Sequence, residues 1–73
     1  MAKAGCDIPA SAIIRLRRAM QMSQERFAAE IGVTFSTVNR WENGRGRPSP
    51  LAANRLIKLL KKYSLDTLAG GEE

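Results

Sequence analysis

The chain contains no histidine and a single cysteine, Cys6, in 73 residues. One thiol cannot close a disulfide within the chain, so the framework that staples small secreted domains is excluded and a reducing compartment is expected. A structural zinc site needs several Cys or His ligands and is excluded as well. With no imidazole to activate it, Cys6 reads as a free surface thiol rather than a nucleophile. Aromatic residues are scarce: Phe27, Phe35, Trp41 and Tyr63 are the whole set, which argues against a base-stacking RNA-binding sheet. The apolar runs are far shorter than the ~20 residues of a membrane span. No signal peptide is visible, so the expected location is the cytoplasm, with no membrane partner. No stretch alternates as a strand would. Catalysis is not expected either, because no nucleophile stands beside a base and no carboxylate pair falls on a predicted cleft.

What is present is positive charge. The formal net charge is +5 and the pI is about 10.2. It is spread unevenly: between Arg15 and Arg47 there are seven arginines against three glutamates, whereas the last eight residues hold Asp66, Glu72 and Glu73 and no cation. A basic body suits a polyanionic partner, nucleic acid first, although a basic soluble surface alone would look the same. Hydrophobic residues make up 44% of the chain, which argues against disorder. The length allows one domain with a small core, burying about 60% of the surface of the unfolded chain.

The apolar spacing is helical throughout. Residues 1–6 read as a flexible tail, 7–68 as the folded domain and 69–73 as a flexible acidic tail. A first helix is expected from about Asp7 or Pro9 to Met20, with Asp7 as N-cap, Pro9 in the first turn, and Ile13, Leu16 and Met20 along one stripe. Ser23 caps a second helix whose inner face is Phe27, Ala28 and Ile31, and Gly32 supplies its left-handed end. Thr34 caps a third, with Val38 and Trp41 turned inward and Asn43-Gly44 stopping it. After the loop 43–48, Ser49-Pro50 starts a fourth helix carrying Ala52, Leu56, Leu59, Leu60 and Tyr63. Ser64 to Leu68 would add a last turn. The fold class is all-α, a compact bundle of four to five short helices.

Residues 23–48, SQERFAAEIGVTFSTVNRWENGRGRP, combine features that together specify a helix-turn-helix. Two helices crossing steeply need a small residue at their contact, here Ala28. The turn needs one positive φ, here Gly32. Val33, Val38 and Trp41 can lock the second helix down. Such a unit places its second helix in a DNA major groove. Gly44 and Gly46, by contrast, do not make a nucleotide-binding loop, since no strand precedes them and a third glycine is missing; no cofactor is expected.

Taking Val38 and Trp41 as inward, a ~100° advance per residue turns Ser36, Asn39 and Arg40 outward, with Phe35 to one side. Arg40 is the sharpest base-reading candidate, because a guanidinium can bond guanine O6 and N7 together; a phosphate-only or solvated arginine is the alternative. Asn39 could read adenine or face solvent. Phe35 could touch thymine methyl groups or staple the helix start onto the core. The amides around Ser23 and Gln24 can hold a phosphate at the positive helix end. Asn43, Arg45 and Arg47 leave the third helix where a second phosphate strand should pass.

With Leu16-Arg17, Ser23-Gln24-Glu25, Phe27-Ala28, Ile31-Gly32-Val33 and Arg40-Trp41-Glu42-Asn43-Gly44 in place, the stretch from Ile13 to about Leu60 resembles the Cro/C1-type helix-turn-helix domain of phage repressors and small bacterial regulators. The resemblance implies a lambda-repressor-like fold and double-stranded DNA as partner. It adds the Gln24 side chain to the phosphate contact, and it implies a structural ion pair between Arg17 and Glu42. Phe35 departs from the family, which often carries a polar reader there. Three roles are consistent with the resemblance: a transcriptional regulator, most simply a repressor acting as a homodimer on a palindromic operator; an antitoxin that binds a toxin partner and autoregulates its operon; and a protein-interaction adaptor. Leu65 and Leu68 are candidates for dimer contacts.

Overall fold

The computed structural model describes residues 8–64, which form four helices: α1 (Ala10–Ala19), α2 (Gln24–Ile31), α3 (Phe35–Glu42) and α4 (Pro50–Lys62). Among the described residues there is no strand, and no helix is long and apolar enough to cross a membrane. The expected tails, Asp7, Cys6, and Leu65 to Leu68 with the last turn proposed for them lie outside the described residues.

Three of the four helix starts follow the capping rule. The hydroxyl oxygens of Ser23, Thr34 and Ser49 accept the amides of Arg26, Thr37 and Ala52 respectively, each satisfying one of the donors that a helix start leaves open. Pro50 adds its fixed φ to the first turn of α4. The start of α1 differs from expectation. Pro9 is itself the N-cap, with no side-chain cap bond. It holds the helix start through its carbonyl, which accepts the amides of Ala12 and Ile13.

The core is assembled from the inward stripes of all four helices. Ile13, Leu16, Phe27, Ile31, Val38 and Leu56 are its largest fully buried side chains, and Trp41 and Leu60 close it. Ala28 and Ala53 are buried where a longer side chain would hold the helices apart. Met20, Val33 and Leu59 pack at the margin. Tyr63 does not complete the α4 stripe: it is the C-cap and 38% exposed. The chain leaves the helix there, with Ser64 at φ +60°. Helix α3 packs on α1 and α2, and α4 packs on the same pair.

Connections are closed by backbone hydrogen bonds rather than by length. Gly32, at φ +93°, ends α2, and the Val33 amide reaches back to the Ala28 carbonyl. After α3, Gly44 at φ +74° donates to Trp41 O while Arg45 donates to Arg40 O, the paired bonds of a Schellman turn. The same pair of bonds ends α1, from Gln21 to Arg18 O and from Met22 to Arg17 O. There the left-handed residue is Gln21, at φ +56°. A side chain in that conformation costs about 1–2 kcal/mol, part of which glycine returns as entropy of the unfolded chain. Gln21→Gly should therefore raise unfolding stability by about 0.5–1 kcal/mol, measurable by urea denaturation; a loss of stability would show that the Gln21 side chain makes a compensating contact.

Candidate nucleic-acid interface

Four local signals place α3: the Thr34 cap, Gly32 ahead of it, the inward Val38 and Trp41, and the Gly44 turn behind it. They leave Phe35, Ser36 and Arg40 exposed. Phe35 is 46% exposed and is not part of the core cluster. Of its two possible roles, a staple onto the core is therefore not what the fold uses, and its ring stands on the outer surface at the start of α3. Arg40 lies along the following loop, its Nε 3.6 Å from the position a side chain at Gly46 would take. The Schellman turn suspends Arg45 directly from the Arg40 carbonyl, at 2.9 Å. Asn39, Arg40, Asn43 and Arg45 thus line one open hollow, two of the four being arginines. Arg47 is exposed farther along the same loop.

Asn39 is set differently from its neighbours. It is half-buried, and its side chain is spoken for on both sides. Its Nδ2 donates to Gln24 Oε1 at 3.4 Å, and its Oδ1 accepts from Asn43 Nδ2 at 3.0 Å. Asn43 Nδ2 also donates to the Asn39 carbonyl at 2.9 Å, so both of its amide hydrogens are engaged in closing α3. A helical wheel gives the direction of Asn39 but not these partners.

At the start of α2, Ser23 Oγ accepts the Arg26 amide at 3.1 Å. The amides of Gln24 and Glu25 precede the first internal bond, and they remain for an anion at the positive end of the helix. Gln24 has a second connection that sequence reasoning missed: its Nε2 donates to Glu42 Oε1 at 3.0 Å. Because a carboxylate only accepts, this bond also sets the orientation of the Gln24 amide and turns its oxygen to Asn39.

Glu42 is the hub. Arg17 meets it through two parallel bonds, Nε to Oε2 at 2.7 Å and Nη2 to Oε1 at 3.0 Å, while Arg17 Nη1 donates to Met22 O at 3.2 Å. The side chains are 18% and 8% exposed. Such a two-toothed geometry fixes orientation as well as distance. It ties the last residue of α3 to α1 and to the α1–α2 connection. Arg17, despite its charge, is thereby committed inward.

Residues 13–68 match the family model described as Helix-turn-helix. The chain belongs to the Cro/C1-type helix-turn-helix family. No curated protein and no solved structure matches it. Family membership makes this a DNA-binding helix-turn-helix, with double-stranded DNA as its partner.

In this helix-turn-helix domain the electrostatics of the hub are directional. Burial by itself pushes the Glu42 pKa up; the hydrogen bonds from Arg17 and Gln24 and the charges of Arg17 and Arg18 outweigh it and hold the carboxyl below its ordinary value of 4.5. The hydrogen bond to Glu42 raises the Arg17 pKa, against a smaller desolvation effect. A lowered carboxylate pKa stabilises the fold in full above the ordinary value, and that contribution is lost as pH falls through the lower folded value. Two outcomes are expected. Arg17→Ala strands a carboxylate that is largely out of water, and it should cost about 3 kcal/mol in chemical denaturation. In thermal melts below about pH 4.5, wild type should lose stability more steeply than Glu42→Gln; parallel acid limbs would remove Glu42 from the acid response.

Proposed function

We propose that the chain is a sequence-specific transcriptional repressor that reads DNA with the outer face of α3 and blocks a promoter by occupying it. The observation that carries this reading is the exposed run Phe35, Ser36 and Arg40 on a helix anchored at its last residue by the Arg17–Glu42 pair and flanked by Arg45 and Arg47. A face that serves only solvent has no need of such fixation. In this reading Arg40 pairs with a guanine and the Phe35 ring meets thymine methyl groups. Asn39 serves the interface more as a brace between Gln24 and Asn43 than as a reader. The α2 start, with Ser23 and Gln24, takes one phosphate, and Arg45 and Arg47 take the other strand. Asn43 contributes by holding the turn that aims Arg45.

A single α3 reads only a few base pairs, so sequence specificity calls for two copies. Homodimeric binding to a two-fold symmetric operator is the simplest arrangement. Selection from a random duplex library at roughly physiological salt tests it. The expected product is a palindrome with half-sites ~10 bp apart; salt-sensitive binding without any motif would refute sequence-specific reading.

Two substitutions separate base from phosphate contacts. Arg40→Ala should weaken binding to the selected duplex by about 1–3 kcal/mol and relax one base position. Equal losses on selected and random duplexes would make Arg40 a phosphate contact. Arg45→Ala should weaken all duplexes alike and lower the slope of log K against log salt by about one, whereas an unchanged slope would remove Arg45 from the interface.

A further inference from the structure

Arg55 makes a contact that no rule local to its own helix produces. It stands in the second turn of α4, and its Nη1 donates to the Ile31 carbonyl at 2.8 Å. Ile31 is the last residue of α2, where carbonyls have no donor within the helix. The guanidinium also brings positive charge to the negative end of that helix. It occupies room left by a missing side chain: a Cβ at Gly32 would stand 2.8 Å from the same Nη1. Gly32 therefore meets two demands together, a left-handed backbone and space for a cation from another helix.

The place of this contact matters more than its strength. Helix α3 begins three residues beyond Gly32, with Phe35 and Ser36 as its first two residues. The far end of α3 is held by the bonds of Glu42 to Arg17 and Gln24. A rod held at one end can still swing at the other. We infer that Arg55 is a positioning residue for DNA recognition: by clamping the turn between α2 and α3 onto α4, it sets the height and angle at which the leading end of α3 meets base edges. Arg55 itself does not touch DNA. The inference rests on the proposed reading of bases by α3.

The test uses the full chain and compares affinity for the library-selected duplex with affinity for a random duplex, over a range of salt, at a temperature where melting curves show each variant folded. Arg55→Ala should bind the selected duplex roughly ten-fold more weakly, about the loss of one good base contact. Binding to the random duplex and the salt slope should be nearly unchanged. Arg55→Lys, which keeps the charge and a donor, should recover part of the loss, and it carries the test if the alanine variant does not fold. Gly32→Asn tolerates the left-handed backbone but displaces the guanidinium, and should reproduce the loss. The double variant Gly32→Asn with Arg55→Ala should be no worse than either single one, because both break the same contact. A lower melting temperature with an unaltered preference would overturn the inference and leave Arg55 a stabilising residue only. Equal losses on both duplexes, with the slope reduced by about one, would overturn it in favour of a phosphate contact. A wild-type chain with no preference for any duplex would overturn the proposed base reading as well, whereas a preference that survives in Arg55→Ala overturns this inference alone.

Discussion

The carboxylate of Glu42 is the point on which the interface depends. It sits at the last position of α3, largely removed from water, and is answered by the paired nitrogens of Arg17 and by the amide of Gln24. Each partner comes from a different helix, so one charged group ties α1, α2 and α3 together at a single place. A half-buried ion pair of this kind is a weak source of net stability, since drawing the charges out of water offsets much of the attraction. Its value lies in geometry. Two parallel bonds fix how the last turn of α3 meets α1, whereas an apolar contact there would permit several arrangements.

From that hub a line of side-chain amides runs outward. Glu42 orients Gln24, Gln24 accepts from Asn39, and Asn39 accepts from Asn43. The line joins the start of α2 to the end of α3, the two places where DNA phosphates are proposed to lie, and its Asn39 and Asn43 share one hollow with Arg40. The polar groups of the interface are thus arranged as two populations. Amides and Glu42 bond to one another and hold shape, while Arg40, Arg45 and Arg47 are exposed and carry charge. The core below serves the same end, with Ala28 and Ala53 allowing close approach and Phe27, Val38 and Trp41 filling the space between helices.

Much of this was legible in the chain. The all-α class, the bounds of α2 and α3, and the turn between them follow from signals that act within a few residues: hydroxyl caps at Ser23, Thr34 and Ser49, glycine at the left-handed positions 32 and 44, and a three-residue apolar spacing at Val38 and Trp41. The outward direction of Arg40 and Ser36 follows from the same spacing. The Arg17–Glu42 pair was legible only through resemblance to the family, because nothing in a separation of 25 residues announces a contact. Where local rules failed, the cause lay in tertiary geometry or in the backbone. Proline caps α1 through its carbonyl, a role that leaves no trace in side-chain chemistry. Tyr63 continues the apolar rhythm of α4 one position past the point where the helix stops. Asn39 is drawn to neighbours on both sides, and Arg55, which looks like one more cation on a solvated face, reaches across to the end of another helix.

The turn that follows α3 also bears on how the molecule ages. Asn-Gly is a dipeptide prone to lose its side-chain amide nitrogen, because the glycine backbone nitrogen can attack the side-chain carbonyl carbon of asparagine, closing a succinimide ring and releasing ammonia before water opens the ring. In the folded chain the nitrogen of Gly44 is bonded to Trp41 O, and the amide of Asn43 is pinned on Asn39. Nucleophile and target are thus both engaged in the hydrogen bonds that close α3. The conformation that shapes the DNA-facing end of α3 therefore also shields it from chemical damage, and that protection lasts only as long as the chain stays folded.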